Sequence, residues 1–290
     1  MKNPTMLASG IMDEDAQSMK RIADSDAGAV VTKSIGISPR EGYPNPTFVE
    51  LEHGILNAMG LPNPGIQDIE EEIYVLTQGD TLVIGSIFGG TASDFVHLSE
   101  KMEDYGVDAL ELNMSCPHAK GYGLEIGSDA DLVHTITHKV KDATSIPVFV
   151  KLSSNVTDIV AIARAAEEGK ADAIVAINSV RGMTIDLEAR CPVLSHKTGG
   201  YSGMAIKPIG VRCVYEIAQN VAIPVIGVGG ITTGLDALEY IMAGATAVQI
   251  GSALYYRGVQ VFKNICDEIS EWMHTHKVQQ LSSLIGAAGQ

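Results

Sequence analysis

Residues 111–123 read ELNMSCPHAKGYG, an apolar approach that breaks into hydrogen-bonding and thiol side chains. Asn113, Ser115, Cys116 and His118 crowd one short stretch, and Gly121 and Gly123 give it hinge positions. A cysteine used only for packing keeps apolar company, which Cys116 does not. Its thiol is therefore a candidate nucleophile or general base, and the stretch alone does not choose between them. Two lysines close otherwise apolar segments, Lys33 in VVTKS and Lys151 in VFVKL. Snorkelling at a rim is the plain explanation for each, and a shared site for an anion or a carbonyl is the chemical one. GVGGI at 227–231 and QIGSAL at 249–254 have the composition of a phosphate cradle, in which backbone N–H groups face the anion.

Elements must gather these residues. Apolar, β-rich runs at 5–10, 29–34, 82–87, 108–113, 147–152, 173–178, 223–228 and 246–250 each lead toward a helical pattern, at about 13–24, 66–77, 92–105, 129–143, 156–168, 207–219, 232–243 and 258–274. Asp158 falls in the first turn of its helix, where the dipole favours a negative charge. Eight such units predict an α/β fold, a single (β/α)8 TIM barrel with a parallel sheet inside and helices outside. An open doubly wound sheet is the competing layout, but the chain has no strand–GxGxxG–helix unit. The connections 35–65 and 179–206 exceed tight turns and are predicted as extended βα loops over the C-terminal face. The strand ends there collect Ser9, Lys33, Ser34, Ser86, Asn113, Lys151, Asn178, Ser179, Gly229, Gly230, Gly251 and Ser252.

Length and composition set limits on function. The 290 residues are 46% hydrophobic and 19% charged, the balance of an enzyme-like globule, and one domain over 1–290 is expected. A formal charge of −15 argues against nucleic acid or an anionic membrane surface as partner. No apolar run approaches a membrane span or a signal peptide's core, so a soluble, cytoplasmic chain is expected. Cys116, Cys191, Cys213 and Cys266 lie far apart, which disfavours a metal centre or iron–sulfur cluster held by this chain alone. Cys213 and Cys266 fall in helical patterns and are expected to be small buried residues.

Nine ordered blocks make the chain resemble the dihydroorotate dehydrogenases, flavin enzymes of pyrimidine synthesis. They are ASG at 8–10, TKS at 32–34 with PREGYPNPT at 39–47, NAMGLPNPG at 57–65, NMSCP at 113–117, VKL at 150–152, NS at 178–179 with RGMTID at 181–186, GGYSGMAIKP at 199–208, GVGGI at 227–231 and IGS at 250–252. The resemblance implies an FMN with its phosphate on Gly229, Gly230, Gly251 and Ser252, and with Ser9, Lys33, Ser34, Asn113, Lys151, Ile177 and Gly203 around the rest. It places Lys151 where a reduced flavin gains negative charge. For dihydroorotate or orotate it implies Lys33, Asn57, Met59, Gly60, Leu61, Asn113, Asn178 and Ser179. Cys116 becomes the general base that removes the C5 proton, since a thiol titrates nearer neutrality than a serine hydroxyl does. Cysteine here resembles the soluble branch, whereas the membrane-associated, quinone-using branch carries serine.

Two positions depart from that pattern. His118 stands where the soluble enzymes usually carry asparagine, and SCPH also resembles the barrel of dihydropyrimidine dehydrogenase, which acts on uracil and thymine. Met204 replaces a commoner proline and bears on local packing. One soluble subclass reduces fumarate as a homodimer; another pairs with a subunit carrying FAD and a [2Fe–2S] cluster and reduces NAD. CPHAKGYG is closer to the NAD-linked pattern, so a homodimeric core with such an electron-transfer partner is expected. A Schiff-base aldolase acting through Lys151 is the alternative chemistry, and a non-catalytic flavin-binding protein the third reading.

Overall fold

The structure, a computed structural model, describes residues 1–114 and 124–289, with the side chains of residues 124 and 125 left aside. Along the described chain the strands are β1 (Thr5–Leu7), β2 (Ala29–Val31), β3 (Phe48–Leu51), β4 (Gly54–Asn57), β5 (Leu82–Ile87), β6 (Ala109–Asn113), β7 (Val148–Leu152), β8 (Ala173–Ala176), β9 (Val180–Gly182), β10 (Ile185–Asp186), β11 (Cys191–Pro192), β12 (Gly199–Ser202), β13 (Val225–Val228) and β14 (Ala245–Ile250). The α-helices are α1 (Ala16–Ala23), α2 (Glu70–Thr77), α3 (Ala92–Asp104), α4 (Leu124–Gly127), α5 (Ala130–Ala143), α6 (Ile159–Glu168), α7 (Lys207–Ala218), α8 (Gly234–Ala243), α9 (Ala253–Arg257) and α10 (Val261–Thr275).

Eight strands close a parallel barrel in the order β1-β14-β13-β8-β7-β6-β5-β2. Each corresponds to a run expected from sequence, so the TIM barrel is the observed fold. Strand side chains alternate between two environments. Met6, Ala29, Val31, Ile84, Ala109, Ala173, Val175, Ile226 and Ala247 cluster inside the barrel, while their neighbours in sequence join the larger core between sheet and helices. The period of two carries this parity along each strand to its C-terminal end. Lys33 follows Ala29 and Val31, Lys151 follows Phe149, and Glu111 and Asn113 follow Ala109, so these polar side chains point inward above a small-residue layer.

Several expected strands end early. The runs at 5–10, 29–34 and 173–178 leave the ladder at Leu7, Val31 and Ala176, and their last residues become site loops. Gly10, at φ 102°, marks the turn after β1. Asp158 is not inside its helix but is the N-cap of α6, accepting from the N–H groups of Val160 and Ala161 at 3.0 Å each. Of the two cysteines expected to be buried, Cys213 is, whereas Cys266 is only partly covered.

The two long connections are not irregular. β3, β4, β12 and β9 pair antiparallel into one sheet, and β10 with β11 forms a short hairpin. Their short, glycine-bearing strands, GILN, VRG and GGYS, carry too little alternation to be read from sequence. Leu56, Ala58 and Leu194 form the sheet's own small core, and the sheet brings Asn57 and Ser202 to the C-terminal face.

Candidate active site

One cavity of about 900 Å³ opens on the C-terminal face of the barrel. Ser9, Lys33, Ser34, Asn57, Met59, Gly60, Leu61, Asn113, Lys151, Ile177, Asn178, Ser179, Gly229, Gly230, Gly251 and Ser252 all line it. Gly203 does not; its neighbours Ser202 and Ile206 do. At φ 102°, Gly203 lies against β4, where an added Cβ would fall 2.7 Å from the Gly54 Cα, and its carbonyl leaves Gly230 no room for a side chain. Ser86 is fully buried and supports the wall: its hydroxyl meets Ser34 at 2.8 Å, and Ser34 also accepts from Asn113 Nδ2 at 3.0 Å and meets Ser9 at 3.3 Å. Cys116, Ser115 and His118 lie outside the described residues.

At the floor, Lys151 Nζ donates to Glu111 Oε1 at 3.1 Å and to Gln249 Oε1 at 3.0 Å. Gln249 Nε2 donates to the other carboxylate oxygen at 2.6 Å, so β6, β7 and β14 are tied in a closed ring of side chains. The Glu111 side chain is fully buried and that of Lys151 nearly so. Both contacts come from within the barrel wall, so the Lys151 Nζ is oriented from behind by Glu111 and Gln249.

Lys33 Nζ lies 3.8 Å from Asp13 Oδ1, and Asp13 is itself fully buried. Burial pushes the Asp13 carboxyl above its ordinary range, partly offset by Lys33 and by the Gly10 N–H. Asn63 shapes the neighbouring loop: its Oδ1 accepts from Gly36 and Gly65 N–H, and its Nδ2 donates to Leu61 O at 2.9 Å. Asn178 Oδ1 accepts from Ser179 N–H at 2.7 Å, and Asn155 Nδ2 donates to Ser179 O at 3.0 Å.

Gly229 and Gly230, at φ 127° and 68°, turn the chain after β13 as L side chains rarely do. Tyr240 of α8, fully buried, donates its hydroxyl to Gly229 O at 2.7 Å. Because a trans peptide holds C=O and N–H on opposite sides, this bond draws the carbonyl into the core and turns the Gly230 N–H the other way. Burial raises the Tyr240 hydroxyl's pKa, which keeps the donor proton in place. The turn is fixed from below by Asp236, which accepts from Thr232 N–H at 3.0 Å and Thr233 N–H at 2.8 Å, and by Lys207, 2.8 Å from Asp236. Burial works against the Asp236 charge, yet the bonds from Lys207, Thr232 and Thr233 prevail and hold its pKa down to about 2.

Glu111, Gln249, Asp13, Asn63 and Tyr240 were not singled out from sequence. For the first two a signal existed: each is a polar residue at an inward parity inside an apolar strand. Asp13, Asn63 and Tyr240 act through contacts between segments distant in sequence, which no local pattern carries.

A closed parallel barrel with one polar-floored cavity on its C-terminal face defines a TIM-barrel enzyme. The chain belongs to the dihydroorotate dehydrogenase family, flavin-dependent oxidoreductases acting on CH–CH bonds: the family model described as dihydroorotate dehydrogenase matches residues 1–273. It is 53% identical over 288 residues to the dihydroorotate dehydrogenase B (NAD(+)) catalytic subunit of Thermoplasma acidophilum, covering 99% of this chain and 95% of that one. The protein of the same name from Methanocaldococcus jannaschii is 52% identical over 291 residues, with 99% and 94% covered. A crystal structure of DHODH from Eimeria tenella in complex with ferulenol shares the fold, with a TM-score of 0.87 at 23% identity over 99% of this chain and 86% of that one. These relatives favour the dihydroorotate reading over the dihydropyrimidine dehydrogenase one.

Proposed function

We propose that the chain, as one FMN-binding barrel domain over residues 1–290, oxidises dihydroorotate to orotate in the de novo synthesis of pyrimidines. The observation that carries this reading is the joining of two sets of groups in a single cavity: Lys33 with Asn57, Asn113 and Asn178, and the glycine turn at 229–230 with Gly251 and Ser252. The volume, toward the upper end for small-molecule sites, suits a cofactor and a small substrate together. The donor set fits a phosphorylated flavin. Gly229 and Gly230 leave a turn free of side chains, an added Cβ at Gly251 would meet only Ala8 at 3.5 Å, and a buried ammonium stands at the floor.

When bound, FMN supplies the acceptor for the hydride that leaves C6 of dihydroorotate. Cys116, outside the described residues, is assigned as the base that takes the C5 proton, so that the C5–C6 double bond forms as both hydrogens depart. Lys33 offsets the substrate carboxylate. The asparagine amides offer donors and acceptors to a ring of alternating N–H and C=O groups. Lys151 presents its charge where reduction places negative charge, and the Ser9–Ser34–Asn113 hydroxyl and amide contacts hold the adjoining wall.

The names of the NAD(+)-type relatives, catalytic subunits, support a second subunit through which electrons reach NAD; the family resemblance extends this reading to a partner carrying FAD and a [2Fe–2S] cluster, with this chain as a homodimeric catalytic core in the cytoplasm. Among the described residues no helix is long and apolar enough to cross a membrane, and no cluster of three or more metal-binding side chains occurs. The test is anaerobic. Dihydroorotate added to the flavin-loaded chain bleaches its visible absorption within seconds, NAD without the second subunit does not restore the colour, and an artificial acceptor does. A yellow protein that dihydroorotate leaves unbleached overturns the proposal.

A further inference from the structure

The barrel interior holds a carboxylate that the proposed chemistry leaves unused. Glu111 projects inward from β6 and is completely buried, a placement that an anion keeps only when paired and hydrogen-bonded. Both of its oxygens are engaged, Oε1 by Lys151 Nζ at 3.1 Å and Oε2 by Gln249 Nε2 at 2.6 Å. Lys151 spends a second proton on Gln249 Oε1 at 3.0 Å. Of three ammonium donors, two are thus anchored to protein groups among the described residues, which fixes the direction of the third. Lys151 and Gln249 line the cavity and Glu111 does not, so the positive member of the pair faces the ligand space and the negative member lies behind it.

We propose that Glu111 is a positioning residue that, acting through Lys151, holds down the reduction potential of the bound flavin. The inference rests on the flavin reading above. Reducing a flavin adds negative charge that an adjacent ammonium stabilises, and a carboxylate directly behind that ammonium opposes part of its field. Lys151 alone would favour the reduced cofactor strongly and slow the passage of electrons onward. Glu111 moderates this preference, and Gln249 completes the ring so that neither charge turns away from the other. The isolated pair would also be free to reorient, whereas three strands of a closed barrel leave it one arrangement.

The decisive measurement is the midpoint potential of the flavin-loaded chain, by equilibration with a reference dye, for wild type and Glu111→Gln. The amide preserves shape and an acceptor for Lys151 while removing the charge. The ratio of reduced to oxidised flavin at a fixed poise is expected to rise tenfold or more, about 30 mV for a two-electron couple. FMN affinity of the oxidised form is expected to stay within a few-fold of wild type. A potential that is unchanged or lower in a folded, flavin-loaded variant overturns the role of Glu111, because a merely structural residue would alter stability and leave the potential alone. Should that variant fail to fold, Glu111→Ser, which removes the same charge and leaves room for a water beside Lys151, is read in its place: the potential must rise, and a fall or no change overturns the proposal. A wild-type chain that takes up no flavin overturns the functional reading itself, and the role of Glu111 with it.

Discussion

Asp236 shows how much a single side chain does at the end of β13. It is the third residue of a capping box with Thr233, accepts the Thr232 and Thr233 N–H groups, and takes a charged bond from Lys207, so the turn carrying Gly229 and Gly230 and the start of α8 share one anchor. Asp236→Ala should destabilise the fold by about 2 kcal/mol at neutral pH, the upper range for loss of a helix cap. Its folded pKa is depressed to about 2 from 3.8, so the stabilisation is fully present above the unfolded value and is lost as the pH falls from about 4 through about 2. Urea unfolding at stepped pH checks this: the gap between wild type and variant must narrow over that interval, and a gap independent of pH refutes the assignment. Among individual residues, those called by type at strand ends, such as Lys33, Lys151 and Asn113, line the cavity, because a parallel barrel turns strand order into spatial convergence. Gly203 is not among the lining residues, although Ser202 and Ile206 beside it are. Its block is recognisable as a unit, but only the fold decides which of its residues face the ligand and which face β4.

At the scale of elements, β13 and α8 are matched through one bulky side chain. Tyr240 occupies space that glycines at 210 and 227 leave open: an added Cβ would come within 1.9 Å of its hydroxyl oxygen at Gly210 and 2.4 Å of its ring at Gly227. The ring is fully buried and cannot swing out, so the strand would have to move. Gly227→Ala is therefore expected to destabilise by about 1–3 kcal/mol, the usual range for overpacking, and the combination with Tyr240→Leu, which vacates the space, should cost less than the sum of the single changes. A double-mutant cycle in chemical denaturation measures this, and strict additivity would mean that the two residues do not meet. The barrel strands and the helices over them were legible because long apolar runs alternate with helical periodicity. The sheet of β3, β4, β12 and β9 was not, since the β4–β12 pairing that unites its two halves joins residues about 145 apart, such as Leu56 with Tyr201, and each strand is too short to show a pattern. In the sequence these segments are legible as loops over the C-terminal face, without the sheet that holds them in place.

The molecule as a whole carries a formal charge of −15 and has a pI near 4.8. Many of its ion pairs are exposed, as between Lys263 and Asp267 or Lys20 and Asp24, and pairs of this kind add little to stability in water. The excess of acidic groups is larger than these pairs can balance, so self-repulsion among carboxylates opposes the compact state at low ionic strength. The buried pair of Glu111 and Lys151 is shielded from solvent ions and is insensitive to salt by comparison. Two effects of salt thus oppose each other: it weakens the exposed pairs, and it screens the net repulsion. With so strong an imbalance the second is the larger, and raising sodium chloride from about 10 mM to 150 mM, where the Debye length falls from roughly 30 to 8 Å, should stabilise the chain by about 1 kcal/mol, a rise in Tm of roughly 2 °C for a protein of this size. Thermal unfolding at neutral pH across that salt range, with the flavin loading held constant, provides the check. A falling Tm would mean that the exposed ion pairs contribute more than their geometry implies, and that the acidic surface is organised into networks in place of isolated contacts.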